Sequence, residues 1–258
     1  MRLIFPPDQC PAGPDGPEDL SRPELAELYS YPDAIRPWVR ANMVTSADGA
    51  ATIRGRSSGL SSDADRTLFA LLRTLSDVIL VGAGTARAEH YAPVRPYELL
   101  PGLRDPDGPV PTIAVVTRRV SLDLATPLLT AAPPGARTII ITTEQAPQEL
   151  RAEAGKNADV IVAGEDTVEL GVALDALAER GYRRVLSEGG PQLLGQLAAA
   201  ELLDELCLTI SPLVASGGAG RIATGTAAAQ SGKLALAHVL EERGYLFCRY
   251  TRRRPAIA

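Results

Sequence analysis

From Trp38 onward, short apolar runs alternate with stretches whose apolar positions recur every three or four residues. The runs are WVRANMVT (38–45), DVILVGAG (77–84), PTIAVVT (111–117), RTIIITT (137–143), DVIVAG (159–164), RRVLSEGG (183–190), ELCLTISP (205–212) and YLFCRYT (245–251). Several are continuous in Val, Ile and Leu rather than alternating, which predicts strands covered on both faces. The longer periodic stretches predict helices over 62–75, 167–181 and 191–201. The first opens at Ser62 with Asp65 three residues on, a capping pattern, and Leu68, Leu71, Leu72 and Leu75 form its apolar stripe. The third opens with Gly190 and Pro191, and proline suits the first helical position. Strand–helix–strand order predicts right-handed crossovers and a largely parallel sheet. No helix is evident between the last two strands, where residues 215–237 form a Gly/Ala-rich connection, so an antiparallel C-terminal edge is expected. The fold class is therefore α/β with a mixed, mostly parallel central sheet. Residues 1–37, rich in proline and acidic groups, read as an extension with one short helix near Pro23–Tyr29, and residues 38–258 as the domain.

Composition narrows the function classes. The chain has 258 residues, 45% hydrophobic and 22% charged, with a formal charge of −5. That balance is ordinary for a globular protein and gives no electrostatic reason to expect nucleic acid or an anionic membrane. The N-terminus has no basic start followed by an apolar core, so no secretory signal is expected. Cys10, Cys207 and Cys248 are odd in number and lack metal-ligand spacing, so neither a disulfide framework nor a metal site is expected. The run Arg252, Arg253, Arg254 reads as a solvated tail.

Four segments carry candidate chemistry. In VGAGTARAEH (81–90), Gly82 and Gly84 permit a tight turn and a close ligand approach, and Thr85 offers a hydroxyl. In SEGGPQLLGQL (187–197), Glu188, Gly189 and Gly190 run into a helix whose free N–H groups and dipole suit a diphosphate. TSADGAATIRGRSSGLSS (45–62) is a long polar loop that turns at Asp48-Gly49. VVTRRV (115–120) places Thr117, Arg118 and Arg119 at a strand end, where they could hold a 2′-phosphate. Each also reads more plainly: as a strand-end turn, a Gly-capped turn, a surface hairpin, or a pair of solvated arginines.

In this order TSADG, VGAGT with Glu89 four positions on, EGGPQLLG and LDELCLTISP resemble the reductase domain of the bifunctional riboflavin-biosynthesis deaminase/reductases, over roughly residues 38–250. The resemblance implies a three-layer dihydrofolate-reductase-like fold, NADPH as hydride donor, a homodimer and a cytoplasmic location. It implies a reaction of the 5-amino-6-(5-phosphoribosylamino)uracil reductase type. It places Val44, Gly82, Gly84, Thr85, Glu89, Thr117, Arg118, Gly189, Gly190, Pro191, Gln192, Leu193 and Leu194 at the cofactor. Asn42, Ser57, Ser58, Arg73, Arg95 and Glu188 fall on the substrate side, with Arg73 and Arg95 on the ribose phosphate. Glu188 and Asp48 are the expected catalytic carboxylates, Asp48 more as a loop-fixing group than a titrating one. The chain departs from the family at Asn42, where lysine is common, and in a stretch after Thr85 that is about one residue short. It also lacks the HxE and PCxxC of a zinc deaminase. Two other readings remain: reduction of dihydrofolate or another pterin on the same fold, and a non-catalytic NADP-binding domain.

Overall fold

The computed structural model describes residues 1–6, 9, 12, 13, 16, 17, 19–105, 107–225 and 233–252. Cys10, Arg253, Arg254 and part of the 215–237 connection lie outside the described residues. The strands in chain order are β1 (Arg2–Phe5), β2 (Ala12–Gly13), β3 (Gly16–Pro17), β4 (Trp38–Ser46), β5 (Val78–Gly82) and β6 (Thr112–Val116). They continue with β7 (Ile139–Thr142), β8 (Asp159–Val162), β9 (Arg184–Ser187), β10 (Glu205–Ser211), β11 (Leu234–Glu242) and β12 (Tyr245–Arg252). The helices are α1 (Arg22–Leu28), α2 (Asp63–Leu75), α3 (Ala83–Ala88), α4 (Pro127–Thr130), α5 (Gln148–Ala154), α6 (Leu170–Glu179) and α7 (Pro191–Ala199).

Ten strands form one sheet in the order β1-β11-β12-β10-β4-β9-β5-β6-β7-β8, and β2 pairs with β3 apart from it. Every neighbouring pair from β10 to β8 is parallel. The β12, β11 and β1 edge is antiparallel. The mostly parallel sheet and its antiparallel C-terminal edge are as the apolar pattern predicts. Two strands of that edge were not in the pattern's forecast. β11 falls partly within the connection read as Gly/Ala-rich, and β1 falls in the proline-rich lead-in.

The core is split by the sheet into two layers. On one face Val39, Ala41, Val78, Leu80, Ile139 and Ile141 pack against Leu174 and Leu177 of α6 and Leu193, Leu194 and Leu197 of α7. On the other, Ile79, Val81, Ile113, Val115 and Leu186 pack against Leu68, Leu71 and Leu72 of α2 and Leu25 of α1. Alternate residues of the central strands thus feed opposite layers, which is why their apolar runs are unbroken. Ser62 caps α2 as expected, accepting from the Asp65 N–H at 3.1 Å. A further polar cluster is sealed inside. Glu205 of β10 accepts bidentate pairs from Arg40 (2.5 and 3.2 Å) and Arg249 (2.9 and 3.0 Å) and a bond from the Trp38 indole at 3.1 Å. The pull of both guanidiniums outweighs burial and holds its pKa at about 2.

Candidate active site

The chain leaves β4 for β5 and later returns to lay β9 between them, so β9's carboxyl end emerges flanked by both. A crevice at the carboxyl ends of parallel strands, where their order reverses, is the expected ligand position in such sheets. Here it unites the two glycine junctions. Gly82 N–H donates to the Gly189 carbonyl at 2.8 Å, and Glu188 N–H to the Leu80 carbonyl at 3.0 Å. A Cβ on Gly190 would overlap the Thr85 hydroxyl, and one on Gly189 would sit 3.4 Å from the Met43 thioether. Gly189 has φ of +81°, a left-handed conformation that favours glycine, and the Gly189–Gly190 peptide is cis. The segment after Gly82 is not an open loop: it winds into α3, with Gly82 as N-cap, Thr85 half-buried, and Gly84 and Glu89 exposed.

Glu188 is the chemical centre of the crevice. Its side chain is 2% exposed and receives both Nε and Nη2 of Arg73, each at 2.7 Å. Tyr91 completes the set, its phenol donating to Oε2 at 2.5 Å. Burial disfavours the charge on Arg73, but the Glu188 charge and its hydrogen bonds outweigh that and raise the guanidinium pKa. Burial, with the same carboxylate beside it, pushes the Tyr91 phenol well above 10. The Arg73 guanidinium also stacks over Phe69 at 4.3 Å. Two of the five Arg73 N–H donors are thus taken by Glu188. Arg95 is linked to the group only through Glu98, which accepts its N–H at 3.1 Å and lies 3.9 Å from Arg73. Tyr91 was not among the residues anticipated; nothing in the sequence pairs it with a glutamate 97 positions away.

The polar loops close around this centre. Ser57 donates to Glu89 at 3.2 Å, joining the loop after β4 to the end of α3, while Ser58 is exposed. Asn42 and Val44 are half-buried on β4, and Asn42 Oδ1 is buried without a partner. Asp48 does not turn toward Glu188's partners. It accepts from Ser46 Oγ at 2.5 Å and from the backbone of Ala215 and Ser216 at 3.0 and 2.8 Å. One strand further on, Thr117 is buried and its Oγ1 accepts the Ser121 N–H at 3.0 Å, leaving Arg118 and Arg119 exposed without an ion pair among the described residues.

These residues fit a dinucleotide. Gly190 caps α7 without any side-chain cap, and Pro191 has no N–H, so the helix opens on unobstructed backbone donors. Leu193 and Leu194 bury their side chains in the core and could offer only backbone, and the Leu194 N–H is spent on the Gly190 carbonyl at 3.0 Å. Gly190 is half-buried, and a Cβ there would intrude on the Thr85 hydroxyl.

Residues 37–243 match the family described as the RibD C-terminal domain. A curated relative from Archaeoglobus fulgidus, the 2,5-diamino-6-ribosylamino-4(3H)-pyrimidinone 5′-phosphate reductase, is 33% identical over 186 residues, covering 71% of this chain and 84% of its own length. The crystal structure of a pyrimidine reductase-like protein from Corynebacterium diphtheriae superposes with a TM-score of 0.74 at 28% identity, covering 85% of this chain and 93% of that one. RibD from Acinetobacter baumannii shares the fold at a TM-score of 0.68 and 21% identity; the match covers 84% of this chain but 58% of that longer one.

Proposed function

The chain belongs to the RibD C-terminal domain family, and from that membership we propose that it is a cytoplasmic, NADPH-dependent reductase of a 6-ribosylamino-pyrimidinone 5′-phosphate. The observation that carries the reading is the meeting of two glycine junctions beside the buried Glu188–Arg73–Tyr91 group: a backbone cradle for a diphosphate next to a fixed carboxylate. NADPH, when bound, supplies the hydride that reduces the sugar carbon bonded to nitrogen. The α7 N-terminus and the glycine backbone would hold its diphosphate, Thr85 and Glu89 its sugar side, and Thr117 with Arg118 its 2′-phosphate.

Glu188 presents a carboxylate whose direction is set by Arg73 and Tyr91. Its remaining lone pair accepts from a ligand hydroxyl or amine and holds the substrate against the hydride donor. Asn42, whose side-chain oxygen lacks a protein partner, reads the same ligand from β4. Arg73 gives two of its five N–H donors to Glu188, and its remaining donors together with Arg95 are proposed for the ribose phosphate. A homodimer is proposed as well. Leu208, Ile210, Leu246 and Leu236 form a half-exposed apolar face on β10, β12 and β11, beyond the reach of α6 and α7.

The test is steady-state NADPH oxidation with the 2,5-diamino pyrimidinone ribosylamine phosphate, its deaminated uracil form, and dihydrofolate. Turnover of either ribosylamine is expected. Turnover of dihydrofolate alone would move the assignment to pterin reduction, and NADPH binding without any turnover would move it to a non-catalytic domain.

A further inference from the structure

Residues 213–224 connect β10 toward β11 and are fastened at both ends to the elements assigned to the cofactor. At the β4 end, Ala47 N–H donates to the Leu213 carbonyl and Ala51 N–H to the Gly220 carbonyl, each at 2.9 Å. At the helix end, Thr224 N–H donates to the Pro191 carbonyl at 3.0 Å. Its own carbonyl lies so close over α7 that a Cβ on Gly195 would overlap it. The segment is thus a strap running from the turn after Val44 to the first turns of α7. A cleft of about 440 Å³ separates it from Thr52–Gly55, with Ala215, Ser216 and Ala219 on the strap side.

Among the described residues, Asp48 is the side chain that grips the strap at its β4 end. It accepts from two successive N–H groups, Ala215 and Ser216, while Ser46 fixes its orientation. Ser216 has φ of +55°, a conformation that non-glycine residues rarely adopt without local support. The two charge-assisted bonds supply that support. We propose that Asp48 is a positioning residue: it acts through the strap 213–224, which it sets as the outer wall of the cofactor cleft. The proposal rests on the assignment of NADPH to the α7 N-terminus. The hydrogen bonds from Ser46, Ala215 and Ser216 hold the Asp48 carboxyl down at about 2, so it stays ionised at any working pH and has no proton to give.

Both ends of the strap are open to test in the full chain. Asp48→Ala releases the β4 end; Gly195→Ala pushes Thr224 off the helix end and leaves Asp48 untouched. Each should weaken NADPH binding, read by fluorescence titration, by about tenfold, with kcat at saturating NADPH changed less than about threefold. Asp48→Asn, which keeps a carbonyl acceptor, should fall between wild type and Asp48→Ala and keep the wild-type acid limb in its kcat–pH profile. Unchanged NADPH affinity in both end variants would overturn the strap's role, and so would loss of the acid limb in Asp48→Asn, which would make Asp48 a proton-transfer group. Should Asp48→Ala fail to fold, Gly195→Ala and Asp48→Asn decide the matter. Failure of the wild type itself to bind NADPH would instead remove the proposed function on which this rests.

Discussion

A carboxylate offers about four lone-pair positions, and in Glu188 three are filled: two by Arg73 and one by Tyr91. The residue is therefore a fixed acceptor with one direction left open. Glu188→Gln puts an amide donor against the Arg73 guanidinium and spoils that direction. Turnover should drop roughly a hundredfold while NADPH affinity stays within about threefold. Equal losses in both would contradict a substrate-side role. Tyr91→Phe keeps the ring and removes one donor, so kcat should fall about tenfold with the KM for NADPH unchanged. Steady-state kinetics of the two variants and their double mutant measures the coupling. The sequence makes Glu188 and Arg73 visible as separate candidates. It does not make their pairing visible, because that depends on the last turn of α2 facing the end of a strand 115 positions away. Arg73 read alone is a phosphate binder; the structure adds its ion pair with Glu188.

At the level of elements, legibility followed the strength of the local pattern. β4 to β10 were legible because strands buried on both faces carry unbroken apolar runs, and α2 because cap and stripe agree. β11 was missed because its first residues, LALA, blend into an alanine-rich connection; the Arg243-Gly244 turn, with φ of +51° and +84°, is the hairpin signal that could have revealed it. α3 was missed because its first turn holds Gly84, a poor helix former, although the next residue, Thr85, lies directly against Gly190. That contact predicts the behaviour of Gly190→Ala. The added Cβ meets the Thr85 hydroxyl, so NADPH affinity should fall about tenfold, the thermal midpoint by a few degrees. Removing the hydroxyl as well, in Gly190→Ala with Thr85→Ala, should restore the midpoint but not the affinity. Recovery of both would mean that neither group touches the cofactor.

Across the whole molecule, the edge holds a second ionisable cluster with no part in the proposed chemistry. His238 of β11 is 3% exposed, stands edge-on to Tyr29 at 4.8 Å, and its Nε2 has no partner. Burial first, and the charge of Arg249 next, hold its pKa near 3 against the usual 6.5. Once the pH drops below 6.5 the unfolded chain binds a proton that the fold refuses, so stability declines toward pH 3, by up to about 1.4 kcal/mol per unit. Glu205, depressed to about 2, keeps its contribution above about 4.5, so its loss overlaps that of His238 only at lower pH and stays out of the range from pH 7.5 to 5. Urea unfolding at pH 7.5 and 5 should show the decline, and His238→Phe should remove most of it. Equal declines in both proteins would trace the effect elsewhere. Which strands exist was legible in the sequence; their order was not, since nothing local places β9 between β4 and β5. That insertion has a consequence for biosynthesis. The nascent chain emerges with a gap in its sheet, and only when residues 184–190 leave the ribosome does the keystone drop in, so any chain halted earlier is born without the crevice proposed to take its ligands.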